Sequence, residues 1–220
     1  MDRNGFESFS IYGEVYILRS PTEEEKIPDK KMDTRTWQLK DPTISAKGAK
    51  SCSLIKSPND KVFVNLGSKV EPLRTPFGAT SFNDEKVTRK TIEFTLNAQQ
   101  VELFKTFDSW AVDYLAKNSE RLFKKRLTMQ EVQGMYKSPA SQKGEYKPHL
   151  RCKINTSGLS PCRCWDENDE RCELPEDLRI YDLVPRIQIS HLWIMAKEVG
   201  FVLQINDLMV QQQPQISPFA

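Results

Sequence analysis

The sequence has little that would support catalysis or insertion into a membrane. It contains only two histidines, His149 and His191, so a Cys/His or Ser/His catalytic pairing has few possibilities. It has neither a glycine-rich phosphate loop nor a His-Glu-x-x-His motif. No apolar run approaches the roughly 20 residues of a membrane helix, and the N-terminus lacks the basic and apolar regions of a secretory signal. We therefore predict a protein that is not an enzyme, is not secreted and does not enter a membrane.

Cysteines are few and odd in number. The five cysteines lack a secretory context, which favours reduced thiols in a cytosolic or nuclear setting. Zinc sites usually use pairs spaced Cys-x2-4-Cys, whereas a single residue separates Cys162 from Cys164. Cys152 and Cys172, with His149 or His191, would complete such a site. We interpret the cysteines as buried or idle thiols and predict no cofactor, with zinc as the open alternative.

Patterns of period two predict short strands in the first half of the chain. Hydrophobic residues make up only 38% of the sequence, so the core must be economical and the loops long. Runs rich in β-branched and aromatic residues, separated by proline, glycine and asparagine, are typical of strands. They lie within residues 11–18, 34–39, 52–56, 61–66 and 87–96.

At Asn97 the apolar period changes from two to 3.6, which predicts a helix over 97–117. Asn97 is a suitable N-cap with Gln100 three residues later, the pattern of a capping box. A second capping box at Thr128 predicts a short helix ending near Tyr136. We expect the long helix to cover a face of the sheet or to close one end of a barrel, with its aromatic residues in the core.

The most apolar stretch, 185–210, is two runs separated by Lys197 and Glu198, which predicts a β-hairpin. Pairing odd-numbered with odd-numbered positions places most bulky residues on one buried face and favours a loop of odd length. Trp193 belongs to this set, so we predict that it is a core residue. The odd set is Ile187, Ile189, Trp193, Met195, Val199, Phe201, Leu203, Ile205 and Met209. The opposite face carries Gln188, Ser190, Gln204 and Asn206, with Leu192, Ile194, Val202 and Leu208.

Together these patterns predict a mainly β fold with a helical insertion. Strands lie within 11–96 and 147–210, the second group starting with an amphipathic strand over 147–155, and the insertion is 97–136. A chain of 220 residues suits one domain, which we place at 1–210. Residues 211–220 offer no core residue, so we predict a flexible tail.

Opposite charges are concentrated in two regions of an almost neutral chain. The formal net charge is +2, yet residues 117–153 contain ten basic and three acidic side chains. Residues 166–182 contain eight acidic and two basic side chains. A basic block in a nearly neutral chain indicates a surface that binds a polyanion. The alternatives are two solvated faces, or a structural or adaptor protein that assembles through its oppositely charged surfaces.

Aromatic residues interleave with this basic block, a combination that suits single-stranded nucleic acid. Basic groups contact phosphates, and exposed aromatic rings offer stacking platforms for bases. Tyr136 and Tyr146 flank a loop with lysines on both sides and are the least core-like of these rings. Alternation within 147–155 directs Arg151 and Lys153 outward. The predicted contacts are Lys124, Lys125, Arg126, Tyr136, Lys137, Tyr146, Lys147, Arg151, Lys153 and Trp165.

Three segments, taken in order, carry a family resemblance. They are LTMQEVQGMYKSP, YKPHLRCKIN and the Trp193 to Gln204 pattern of the final hairpin, and the likeness is clearest over 128–210. This layout resembles the single-stranded DNA-binding proteins of nucleocytoplasmic large DNA viruses, a group similar to the single-stranded DNA-binding protein of short-tailed phages. The resemblance implies an OB fold, a partly open Greek-key barrel with a basic groove across it.

The resemblance also implies function: non-catalytic, sequence-independent binding and protection of single-stranded DNA in viral replication, recombination or repair. It implies replication proteins as partners and a location at viral replication sites in the host cytoplasm, or in the nucleus. Self-association into a homo-oligomer is left open. Such proteins often end in an acidic tail, whereas 211–220 has no acidic residue. The acidic region 166–182 is therefore the alternative recruiter of partners.

Overall fold

The computed structural model describes residues 32–46, 48–57, 59–81, 88–142, 144–158 and 160–213, and the backbones of two N-terminal strands. Those strands, β1 (Glu7–Ile11) and β2 (Glu14–Leu18), pair antiparallel where the sequence predicted a single strand over 11–18. They belong to a first unit, Met1–Met32, and the second unit is Asp33–Ala220. From residue 214 onward, the predicted tail lies outside the described residues.

The second unit is mainly β. Its N-terminal strands are β3 (Trp37–Leu39), β4 (Thr43–Ile44), β5 (Lys50–Lys56), β6 (Asp60–Asn65), β7 (Ala79–Thr80) and β8 (Arg89–Thr95). Its C-terminal strands are β9 (Tyr136–Lys137), β10 (Ala140–Ser141), β11 (His149–Asn155), β12 (Arg163–Trp165), β13 (Arg171–Cys172), β14 (Tyr181–Ile194) and β15 (Val199–Gln212). The predicted strands therefore exist, with boundaries shifted by a few residues.

Helices α1 (Ala98–Lys117), α2 (Ser119–Phe123) and α3 (Met129–Met135) lie between the two groups of strands. Both predicted capping boxes are present, at Asn97 and at Thr128. α1 packs its aromatic face on the sheet, where the rings of Phe107 and Phe201 lie edge to face with centroids 5.2 Å apart. Among the described helices, none is both long and apolar enough to cross a membrane.

The sheet is open and is organised around the two long strands. Its strand order is β3-β5-β6-β14-β15-β11-β8-β7. β14 pairs with β6 along 186–189 and with β5 along 191–194, so two successive partners share one edge of it. On the other side β11 runs parallel to β15, with Lys153 opposite Gln204. The predicted fold class is confirmed: mainly β, with a partly open sheet and one long helix between the N-terminal and C-terminal strands.

Register shifts in the final hairpin overturn most of the predicted pairing. Ile187 pairs with Ile205 and Ile189 with Leu203, odd with odd as predicted. The register shifts on either side of this stretch, between Arg186 and Ile187 and again after Ile189. Each bulge inserts one residue into one of the two strands, Asn206 into β15 and Ser190 into β14. Beyond the inserted residue, the side chains of that strand that face the core change from odd-numbered to even-numbered.

Beyond the second shift the even-numbered residues of β14 face inward. Leu192 is fully buried, whereas Trp193 is only half-buried and lies opposite Gly200. Ile194 pairs with Val199, so the loop is the four residues 195–198 and not of odd length. The prediction that Trp193 belongs to the core is therefore wrong. Its position on the outer face places the indole in a groove together with Lys153 and Val202.

Candidate nucleic-acid interface

A groove of about 320 Å³ opens on the outer face of the sheet, between β11 and the final hairpin. We call it the tryptophan groove. The side chains that line it include Lys137, Ser138, Arg151, Lys153, Trp193 and Val202. These cations, the indole and the Ser138 hydroxyl therefore line the same cavity, together with Phe201 and Ser141. Of the predicted contacts, the structure brings Lys137, Arg151 and Lys153 together here.

Trp193 lies directly against the backbone of the neighbouring strand because Gly200 has no side chain. A Cβ atom at Gly200 would stand 2.9 Å from Cζ2 of Trp193 and 2.8 Å from the carbonyl oxygen of Lys137. Real Cβ atoms do not approach other atoms so closely, so glycine at position 200 is needed for the indole to lie this close to the strand. The ring is thus held by backbone contact on one side and faces the groove.

The cations of β11 keep an excess of positive charge. Arg151 pairs with Glu93 at 2.9 Å, whereas Lys153 Nζ donates to the hydroxyl of Thr91 at 2.7 Å. Arg89 is the first residue of β8, the strand that pairs with β11. Within the described ranges, neither Lys153 nor Arg89 forms an ion pair with a carboxylate. Partial burial, and then the charges of Arg89 and Arg151, hold the pKa of Lys153 below its usual value. A phosphate placed here would relieve this repulsion.

Lys137 is positioned by a carboxylate from the long helix. Tyr136 donates its hydroxyl to Oδ1 of Asp108 at 2.8 Å, and Ser138 donates to Oδ2 at 2.6 Å. Burial raises the pKa of Asp108. Lys137 stands between these two anchors and pairs with Gly200 in a parallel bridge. Tyr136 is only 8% exposed, so its interpretation as a surface stacking ring is wrong and its role is to support β9.

The other predicted basic contacts do not reach the tryptophan groove. Lys124, Lys125 and Arg126 are exposed at the end of α2, and Arg126 pairs with Glu120 at 3.2 Å. Lys147 and Tyr146 precede β11; both are exposed, and Tyr146 is 75% accessible as predicted. These side chains therefore stand apart from the cluster on β9 and β11.

A second groove of about 570 Å³ lies farther along β15. We call it the amide groove. Its polar side chains include Lys61, Arg163, Arg171, Gln188, Gln204 and Asn206. The sequence predicted none of these as contacts, although it placed the three amides on the outer face. Outward alternation at 188, 204 and 206 was the available signal.

Asp207 organises the wall of the amide groove. Arg163 approaches its carboxylate through two nitrogens, with Nε at 2.6 Å from Oδ1 and Nη2 at 2.7 Å from Oδ2. Trp165 donates its indole N–H to the same carboxylate at 3.2 Å. The guanidinium of Arg171 lies over the ring of Trp165 at 5.5 Å. Trp165, a predicted contact, is thus half-buried beside this groove and engaged by side chains of its own chain.

The five cysteines form no disulfide bond, and four of them are buried. Burial raises the pKa of Cys162 and that of Cys164 to about 12, so both thiols are protonated near neutral pH. Cys164 stands opposite Cys172 in the β12–β13 pair. In the part of the chain that the structure describes, no three histidine, cysteine or carboxylate side chains form a group that could hold a metal ion.

Several carboxylates of the acidic region 166–182 form ion pairs within the same chain. Asp169 pairs with Lys69 at 2.7 Å, and Asp182 pairs with Arg74 at 2.9 Å. Asp177 pairs with Arg179 at 2.7 Å. Fewer free carboxylates then remain for the basic surface of a second subunit, which weakens the alternative of assembly through opposite charges.

Comparison with known proteins finds similarity only among solved structures. No protein-family description matches the sequence, and no curated protein matches it significantly. The single-stranded DNA-binding protein of bacteriophage Enc34 is similar with 9% identity and a TM-score of 0.44, over 81% of this chain and 92% of that one. Gp2.5, a single-stranded DNA-binding protein of bacteriophage T7, is similar with 12% identity and a TM-score of 0.42, over 71% and 90%. At these low scores membership of the viral family stays a prediction.

Proposed function

We propose that this protein binds single-stranded DNA without catalysis and without strict sequence dependence. The observation that carries the proposal is the tryptophan groove, in which one indole and the cations of Lys137, Arg151 and Lys153 line a single cavity. Cations contact phosphates, while an aromatic face accepts any base because every base has a π-face. The combination matches the backbone and the base of the same strand.

Stacking on Trp193 requires an unpaired base, which favours a single strand over a duplex. A base can stack on Trp193 only if it is unpaired and turned outward. In a duplex the bases are paired and stacked inside the helix. Lys153 and Arg151 lie on a strand that flanks the indole, so phosphates can follow β11 while bases turn toward β14. Protection of exposed strands in viral replication, recombination or repair is the role that we propose. A location at viral replication sites in the host cytoplasm or nucleus, and replication proteins as partners, belong to the same proposal.

A salt titration tests the proposal. Binding of a fluorescent 20-nucleotide dT strand is measured by anisotropy between 50 and 200 mM salt, with a duplex of equal length as competitor. Each phosphate contact contributes a slope of about −0.7 in log affinity against log salt for single strands, so three contacts give about −2. Affinity that ignores salt, or a preference for duplex, would overturn the proposal. Salt-sensitive self-association without DNA affinity, seen by light scattering, would favour the structural or adaptor alternative instead.

A further inference from the structure

We infer that the amide groove recognises the edges of bases, so that the protein prefers strands containing adenine within its otherwise general binding of single strands. This inference rests on the proposed function and adds a ligand chemistry to it. The tryptophan groove supplies stacking and charge, which do not distinguish bases. The amide groove supplies groups that do.

The three amides are placed as a unit by the final hairpin. Gln188 and Gln204 are direct cross-strand partners, and Asn206 stands at the first register shift. The side chain of Asn206 donates from Nδ2 to Oε1 of Gln188 at 2.9 Å. Among the described residues, the amide nitrogen of Gln188 and the amide oxygen of Asn206 then have no hydrogen-bond partner, and both residues line the groove.

Gln204 is free to bind a ligand. Among the described residues its side-chain amide makes no hydrogen bond, and it is half-buried between the other two amides. A carboxamide presents one acceptor and two donors in one plane. Adenine presents its amino group next to a ring nitrogen acceptor, so one amide can make two hydrogen bonds with it. In single strands such edges are accessible to protein side chains.

The two grooves adjoin, so one strand can occupy both. Val202 lines the tryptophan groove and Gln204 lines the amide groove, on the same face of β15. Two residues of a strand span about 7 Å, close to the spacing of successive nucleotides in an extended single strand. Lys153, opposite Gln204, stands where the grooves meet. A strand that stacks one base on Trp193 therefore presents a following base to the amides.

Exposed cations at the rim of the amide groove hold the backbone of that strand. Lys61 and Arg171 are both exposed there, while Asp207 restrains Arg163. Lys61 and Arg171 are thus exposed to solvent, whereas the amides of the groove are half-buried. This arrangement suits a nucleotide whose phosphate faces the rim and whose base faces Gln188 and Gln204.

The test removes one group from the base and one from the protein. Twelve-nucleotide dT strands carry, at every third position, either adenine or purine, which lacks the exocyclic amino group. We expect the wild-type protein to bind the adenine strand about three- to tenfold more tightly, the effect of one lost hydrogen bond. The difference should vanish in Gln204→Ala and shrink in Gln188→Ala. Gln38→Ala is the matched control, because it changes an exposed glutamine on strand β3. This variant should retain the difference in affinity between the adenine and purine strands.

Equal wild-type affinities for the two strands would overturn the inference while leaving single-strand binding intact. An undiminished difference in Gln204→Ala would overturn it as well. Failure of the wild-type protein to bind any strand would instead refute the proposed function, and the inference with it. Thermal unfolding of each variant, matched to wild type, shows that a lost preference comes from the amide and not from misfolding.

Discussion

The basic block has two parts with similar charge and different surroundings. Lys124, Lys125 and Arg126 directly follow the short helix α2 and are exposed, and Arg126 pairs with Glu120. Arg151 and Lys153 alternate outward on β11 and meet the indole of Trp193 across a groove. Charge density along the sequence is high in both. The strand-borne part adjoins a cavity with an aromatic wall, and a phosphate bound there would relieve the mutual repulsion of its cations.

This difference shows that the local net charge of a segment does not make a binding site. Exposed side chains on a helix end are hydrated and flexible, so holding a ligand costs them rotamer entropy. Side chains on a paired strand project from a fixed backbone, and neighbours such as Thr91 and Glu93 hold them further. We therefore expect the two parts to respond differently to mutation.

The largest effect should come from removing the strand-borne pair. Arg151→Ala with Lys153→Ala should weaken binding of all single strands by roughly tenfold or more at 0.1 M salt, because two phosphate contacts are lost. The slope of log affinity against log salt should become shallower by about 1.4. Anisotropy titrations at several salt concentrations measure both quantities.

The matched control is Lys124→Ala with Lys125→Ala, which removes the same charge from the helix end. We expect less than a twofold change in affinity, since exposed, unpaired surface charges contribute little. Equal losses in the two double variants would mean that the helix end belongs to the interface and that the two parts of the basic block bind DNA alike.

A smaller effect is expected from Trp193→Ala. Stacking contributes about 1 to 3 kcal/mol per base, and we expect the low end, roughly fivefold, because one side of the indole is already covered by the backbone at Gly200. The salt slope should stay unchanged, as no cation is lost. Trp193→Phe keeps a flat ring and should retain most of the affinity. If Trp193→Ala binds like wild type, the indole is a structural element of the hairpin.

The smallest expected effect is a pH dependence at His191. Burial, followed by the charge of Arg89, holds the pKa of His191 below its usual 6.5, and its Nδ1 lies 3.1 Å from the hydroxyl of Ser190. The ring is therefore neutral at pH 7. A bound phosphate offsets the charge of Arg89 and favours protonation, so affinity should rise about twofold from pH 7.5 to 5.5.

His191→Gln should abolish this rise, whereas His149→Gln, which changes the other histidine, should retain it. In the absence of DNA, lowering the pH should destabilise the protein, although it raises the affinity for DNA. The unfolded chain takes up a proton at His191 at higher pH than the folded chain does, so the free energy of unfolding should fall as pH drops through this range. Denaturant titrations at pH 7.5 and 5.5 measure that loss, and a gain in stability would contradict the assignment.

Local patterns in the sequence predicted the local structure well. The capping boxes at Asn97 and Thr128 begin their helices where predicted, because a cap depends on residues three positions apart. The outward direction of Arg151 and Lys153 follows from alternation within a single strand. Arg151 and Lys153 of the tryptophan groove were among the predicted contacts for this reason, whereas Lys137 was predicted from the basic and aromatic residues around its loop.

Burial of Tyr136 and the outward direction of Trp193 could not be derived in the same way. Tyr136 is buried because Asp108, far away in sequence, accepts its hydroxyl. Trp193 faces outward because a register shift after Ile189 reverses the alternation of β14. The sequence carried a trace of this shift, since Leu192 and Leu208 stood on the supposedly outer face. Both are fully buried.

The sequence by itself therefore determined the classes of element, their order, their caps and the outward charges of single strands, since each depends on neighbours a few residues apart. Only the tertiary structure decided which of these charges form a site. Strand pairing sets Lys153 beside Gln204 and Trp193 on Gly200. It also lets Asp207 engage Arg163, from a strand more than forty residues away in the chain. Such contacts depend on register and bulges, which no local pattern specifies.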